Sequence, residues 1–285
     1  MSRYLDLLEQ SSRRAGTVLC VGLDPDPAAL PPRFATHAGI GEWVRLVVEA
    51  ASEHAAAFKL NLAFFEALGA DGLHIAARVR ALVPSTIPLV VDAKRGDIGS
   101  TVAAHARALY DVLGADAVTA SPYLGIGALA PLLEREDRFV YLLCRTSNHE
   151  AGEFQELEVA AVADAPSEPL YLRVARRAES ASAAGAGRLG LVVGATGGES
   201  LARVRSVAPH LPLLVPGIGA QGGDIVPVLA HGPARPGPEA RRFGGGLLVN
   251  VGRGIVQGVE SAADPVAAVR ARAAEWGSRL AILNA

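Results

Sequence analysis

Short, nearly unbroken apolar runs recur along this chain, and between them lie longer stretches whose apolar residues return every three or four positions. An uninterrupted apolar run suits a parallel strand covered on both faces, whereas the longer period suits a helix with one buried side. Strands are therefore expected over residues 18–22, 57–61, 89–92, 117–120, 139–144, 189–193, 213–215 and 247–251. Amphipathic helices are expected over 43–53, 64–82, 102–113 and 170–184. A last helix should cover 265–280, with Asp264 as its N-cap ahead of Pro265. Eight strands alternating with helices predict an α/β fold, a closed (β/α)8 TIM barrel. An open doubly wound sheet would use the same alternation. Its dinucleotide-binding form, however, needs G-x-G-x-x-G after the first strand, and here Gly22-Leu23-Asp24-Pro25-Asp26 follows instead. Residues 231–246, rich in Pro, Gly and Arg, would join the seventh helix to the eighth strand on the face opposite the usual active site. They read as a surface loop without a catalytic role.

The 285 residues suit one barrel domain spanning 1–285, with no internal repeat or linker. Hydrophobic residues make up 50% and charged ones 20%, which describes a globular protein with a large core. Aromatics are scarce at 5%, so Ala, Val, Leu and Ile must build that core. A net charge of -2 gives no broad basic field for nucleic acid or a membrane surface. An anionic ligand would therefore need a local site. Residues 1–10 carry Arg3, Asp6 and Glu9 and lack the apolar centre of a secretory signal. The longest uncharged stretches, 117–133 and 206–223, are broken by Pro and Gly and do not read as membrane spans. Cys20 and Cys144 both fall in expected strands and read as buried thiols rather than a disulfide, which suits a cytoplasmic location.

Charge enters the apolar pattern at a few defined places. The third strand runs into Asp92-Ala93-Lys94-Arg95-Gly96-Asp97, at the strand end where barrel enzymes carry catalytic groups. Side chains alternate along a strand, so Asp92 and Lys94 should share a side, with Asp97 in the turn beyond. Such a cluster also suits a solvated turn, but inward charges at the end of an apolar strand are costly unless paired. Lys59 interrupts the second strand in the same way. Together Lys59, Asp92, Lys94 and Asp97 would form an array of two cations and two anions in which each charge has an opposite neighbour. Late in the chain, Pro216-Gly217-Ile218-Gly219-Ala220-Gln221-Gly222-Gly223-Asp224 follows the seventh strand and Gly252-Arg253-Gly254 the eighth. Barrel phosphate sites are often built from these two loops, with glycines admitting backbone N–H groups and arginine supplying a bidentate donor.

The stretch Asp92-Ala93-Lys94-Arg95-Gly96-Asp97-Ile98-Gly99-Ser100-Thr101 closely resembles the signature of orotidine 5′-phosphate decarboxylases, in particular the longer bacterial subgroup. Further segments fit in order: Gly22–Asp26, Phe58-Lys59 with Ala63–Glu66, Ser121–Gly125, Arg145–Asn148, Val192–Thr196 and the two late glycine-rich segments. Leu60-Asn61, Ser121 and His149 depart from the usual pattern. The resemblance implies decarboxylation of orotidine 5′-phosphate to UMP without a cofactor or metal, in pyrimidine biosynthesis. Lys94 would donate a proton to C6 within the charge network of Lys59, Asp92 and Asp97. Asp24 and Lys59 would hold ribose hydroxyls, Ser147 the pyrimidine, and Gln221, Gly252 and Arg253 the phosphate. A homodimer is implied, in which Asp97 and Thr101 reach the partner's site. Two alternatives use the same barrel. One is a Mg-dependent keto-sugar-phosphate decarboxylase, which would need an acidic ligand where Lys59 stands. The other is a nucleotide-binding barrel without catalysis.

Overall fold

A computed structural model describes residues 3–28, 30, 32–162, 165–184, 187–219, 222–235, 241–259 and 261–282. Eight parallel strands close into a barrel: β1 (Leu19–Leu23), β2 (Ala57–Asn61), β3 (Leu89–Arg95), β4 (Ala117–Ala120), β5 (Phe139–Arg145), β6 (Leu189–Val193), β7 (Leu213–Val215) and β8 (Leu248–Val251). Each strand pairs with its sequence neighbours, and β1 closes the ring against β8 through Leu19↔Val249, Cys20↔Asn250 and Val21↔Val251. The fold is the expected TIM barrel. A two-stranded antiparallel ribbon, Glu158–Val159 with Glu168–Pro169, lies outside it.

Helices cover the barrel, and their ends follow local chemistry. Helix His37–Ala51 starts where the Thr36 side chain accepts from the Gly39 N–H, and it buries Ile40, Val44, Val47, Val48 and Ala51. Helix Pro265–Arg279 begins as expected, with the Asp264 carboxylate accepting from the Ala267 N–H at 3.0 Å. The single helix expected over 64–82 is two, Leu62–Glu66 and Gly69–Leu82, because the chain turns at Gly69 with φ +66°. Periodicity does not register such a break, since both pieces bury residues at helical spacing. Helix Gly99–Ala106 continues as a π-helical turn, Arg107–Val112.

Two apolar layers result. One lies between strands and helices; the other fills the lower half of the barrel with Cys20, Ala57, Val90, Ala117, Phe139, Tyr141, Leu214 and Leu248. Tyr4, Leu5 and Leu8 of the N-terminal helix Arg3–Ala15 plug that end, and the Tyr4 and Tyr141 hydroxyls hydrogen-bond at 3.0 Å. Burial of each such large side chain contributes about 1.5–3 kcal/mol. Inward positions therefore run from apolar at the strands' N-terminal ends to polar at their C-terminal ends, so the polar part of the barrel interior faces the opening.

Of residues 231–246, the described ones, 231–235 and 241–246, lie at the plugged end, as expected, but not simply as a surface loop. Arg242 is 8% exposed and paired with Asp6 at 2.9 Å and Glu9 at 3.1 Å. Gly244, Gly245 and Gly246 are buried at positive φ, where Gly244 has no room for a Cβ against Val18. The segment thus ties the N-terminal helix to β8, an ionic role that composition alone does not reveal.

Candidate active site

The C-terminal ends of the strands surround a cavity of about 540 Å³. Its wall from β1 to β4 is charged, with Asp24, Lys59, Asn61, Asp92, Lys94 and Thr119. The wall from β5 to β7 combines apolar Leu143, Val192, Leu214 and Pro216 with a polar, uncharged loop after β5.

Asp92 is the hub of the charged wall. Its Oδ2 lies 3.1 Å from Lys59 Nζ and its Oδ1 2.7 Å from Lys94 Nζ, and Oδ1 also accepts from the Thr119 hydroxyl at 2.7 Å. Asp24 Oδ1 stands 3.7 Å from Lys59 on the other side. Burial alone would lower the Lys59 pKa, but Asp24 and Asp92 outweigh it and hold the ammonium above its ordinary range. Burial would likewise raise the Asp92 pKa. Lys59 and Lys94, with the hydrogen bonds from Lys94 and Thr119, instead hold it well below the usual carboxylate range. Both groups are thus fixed in their charged forms. Lys59 also stands between the two carboxylates that would otherwise bracket a divalent cation. Among the described residues no three His, Cys, Asp or Glu side chains cluster as a ligand set.

Lys94 is placed by an unusual backbone. Its φ of +49° is the only positive value at a non-glycine residue among those described, and the β3–β4 register shifts between Val91 and Arg95. The Lys94 N–H donates to Thr119 Oγ1 at 2.9 Å, so Thr119 anchors both the strained backbone and the Asp92 carboxylate. A left-handed lysine costs on the order of 1–3 kcal/mol and persists only when its surroundings hold it. The side chain is half exposed and faces the cavity.

The opposite wall holds a polar loop after β5. Gln155 clamps it, accepting from the Thr146 N–H at 2.9 Å and donating to Thr146 Oγ1 at 2.8 Å. Ser147 lines the cavity from this loop, and Gly194, just past the end of β6, leaves the space it occupies. At the β7 and β8 ends, Gly217, Gly252 and Arg253 line the cavity. Gly217 and Gly219 take φ of +101° and +84°, which a side chain would oppose.

Of the residues picked out by sequence, Lys59, Asp92, Lys94, Asp24, Ser147, Gly252 and Arg253 thus converge on one cavity. Asp97 and Thr101 do not line it: Asp97 Oδ1 accepts from the adjacent Ile98 N–H at 2.8 Å, and Thr101 sits exposed on the following helix. Gln221 lies outside the described residues. Thr119, Gln155, Asn61 and Asn250 also line the cavity and were missed. The signal for Thr119 and Asn250 was present, since each is a lone polar residue in an apolar strand.

Residues 17–272 match the model of the orotidine 5′-phosphate decarboxylase / HUMPS family. A Thermomicrobium roseum protein named orotidine 5′-phosphate decarboxylase is 44% identical over 262 residues, covering 91% of this chain and 88% of its own. One of the same name from Herpetosiphon aurantiacus is 47% identical over 232 residues, covering 78% and 82%. The solved Leishmania donovani OMP decarboxylase superposes with a TM-score of 0.80 at 41% identity, covering 98% of both chains.

Proposed function

The chain belongs to the orotidine 5′-phosphate decarboxylase / HUMPS family, and from this premise we infer that it converts orotidine 5′-phosphate to UMP and CO₂ in pyrimidine biosynthesis. The observation that carries the reading is the row Lys59–Asp92–Lys94, linked at 3.1 and 2.7 Å on one wall of a cavity that also holds Arg253.

The C6–carboxylate bond breaks with its electron pair left on C6, CO₂ departs, and the Lys94 ammonium transfers a proton to C6. Water then reprotonates the lysine. A positioned acid supplies about 10²–10⁴-fold, roughly 3–5 kcal/mol. The ring delocalises the C6 carbanion poorly, so a larger share must come from fixed charge. Asp92 and Thr119 hold the Lys94 region in place before the substrate arrives, so little reorganisation accompanies the charge shift. Lys59, locked between Asp24 and Asp92, offsets their negative charge and leaves the wall balanced. The Gly252–Arg253 end would take the phosphate, far from C6, and its binding energy would hold the reacting carbon against Lys94. Ser147 would meet the pyrimidine edge, and Gln221 would join the phosphate grip.

Asp97 and Thr101 belong, on this reading, to the partner's site in a homodimer. Two observations support it: Asp97 is absent from its own cavity, and exposed apolar side chains lie near it in sequence and on β4's loop, Ile98 at 62%, Tyr123 at 90% and Leu124 at 49%. Large apolar side chains left this exposed suit an interaction surface. We place the enzyme in the cytoplasm, with its two cysteines free and buried. Among the described residues no helix is long and apolar enough to cross a membrane. The test is to follow the absorbance change of orotidine 5′-phosphate as it becomes UMP. Lys94→Ala should abolish turnover while UMP still binds; near-normal turnover in that variant refutes the assignment.

A further inference from the structure

Between Thr146 and Glu156 the chain carries one large apolar side chain, Phe154, and that is 64% exposed. Apolar packing therefore does little to hold this loop over the cavity, and hydrogen bonds must do it. Gln155, closing the short helix Gly152–Gln155, puts both ends of its carboxamide on Thr146, accepting at Oε1 from the N–H and donating from Nε2 to the hydroxyl. The Thr146 hydroxyl donates in turn to Asn148 Oδ1 at 2.6 Å. Alongside, Arg145 donates to Glu156 at 2.7 Å, so residues 145–146 are clasped to 155–156. On the other side the Ser147 carbonyl accepts from the Thr196 hydroxyl at 3.3 Å. Ser147 thus stands between a neighbour pinned at its amide and hydroxyl and a carbonyl pinned from the loop after β6.

Such bracing matters for telling one pyrimidine from another. Orotate and uracil present an acceptor at O4 and a donor at N3–H, whereas cytosine reverses both, with a 4-amino donor and an N3 acceptor. A serine hydroxyl alone serves either pattern, because it rotates to donate or to accept. Discrimination requires the serine to be held in one place and orientation, so that the wrong edge leaves a polar group unpaired. Resting on the nucleotide reading of the cavity, we propose that Gln155 is a positioning residue for base selection. It fixes Thr146, and through Thr146 it sets Ser147 to meet the uracil-type edge and reject the cytosine-type edge.

The test measures binding of UMP, CMP and ribose 5-phosphate to the full chain and to its Gln155→Ala and Gln155→Met variants, with thermal unfolding as the control for folding. Wild type should prefer UMP to CMP. Both variants should lose roughly tenfold in UMP affinity, the scale of one net hydrogen bond, and narrow that preference by the same factor. Ribose 5-phosphate, which has no base, should bind as before. An equal loss for all three ligands makes the role merely structural and overturns the proposal, as does an unchanged preference for UMP. A crystal structure of Gln155→Ala should show residues 146–148 displaced. The same loop left in place beside a lost preference would make Gln155 a direct contact, against the positioning role. Failure of the wild type to bind UMP at all sinks the nucleotide reading itself, a separate outcome.

Discussion

Replacing Asp92 by Asn removes the one charge shared by two lysines. The partner most affected is Lys59, whose side chain is 5% exposed and which would keep only Asp24, 3.7 Å away. At an effective dielectric near 20, opposite charges about 3 Å apart attract by about 5 kcal/mol. Measured losses on removing one member of a buried pair run at about 3–5 kcal/mol. Asparagine can still accept from Thr119, so the lower end applies. A loss of about 3 kcal/mol should lower the unfolding midpoint of a chain this size by roughly 6–10 °C. The pH dependence carries the sign. The Asp92 pKa is held down in the folded state, so its stabilisation is fully present above the ordinary aspartate value of about 3.9 and is lost as pH falls through the lower folded value. The gap in midpoint between wild type and Asp92→Asn should thus be constant from about pH 5 to 8 and shrink below about pH 4. Adding Lys59→Met should recover part of the loss, because the stranded charge is gone. Equal midpoints at pH 7, or a gap that widens on acidification, would falsify this account of the network.

Mixing Lys94→Ala with Asp97→Ala protomers should restore activity that neither has alone. Each mixed dimer regains one intact site if Asp97 serves the partner, and an unrestored mixture of verified heterodimers refutes site sharing. Arg253→Ala should weaken UMP binding by roughly 10–100-fold, the scale of a charge-assisted hydrogen bond, and leave uridine binding nearly unchanged; titration calorimetry with both ligands decides it. Arg205, 5% exposed, donates to the carbonyls of Ala208 at 2.8 Å, Leu211 at 2.9 Å and His231 at 3.2 Å, and to that of Gly232. Arg205→Met strands these acceptors and should cost about 3 kcal/mol in urea unfolding, with kcat of the folded fraction unaltered.

Much of the molecule could be read from local pattern. Four strands, 57–61, 117–120, 189–193 and 213–215, have the bounds expected of their largely apolar runs, because a strand buried on both faces carries few polar residues. Alternation also sends Lys59, Asp92 and Lys94 inward, and the late glycines with Arg253 mark the β7 and β8 ends. These are properties of residues a few positions apart, and periodicity reports them directly.

What the pattern could not supply is distance across the barrel. Lys59 meets Asp92 and Asp24 because β1, β2 and β3 pair in one register, which closure of the whole ring imposes. Thr119 reaches Asp92 and the Lys94 N–H only because β3 shifts register and Lys94 takes a left-handed φ. Asn250 faces Asp24's strand for the same reason of closure, since β1 and β8 are neighbours in space and the farthest apart of the strands in sequence. Arg242 found its carboxylates on a helix at the other end of the chain. Which residues turn inward, and in what order, follows from local pattern, for side-chain direction is a matter of backbone alternation. Which of them touch was decided by the tertiary structure, because strand register and ring closure are long-range and set every cross-barrel distance at once.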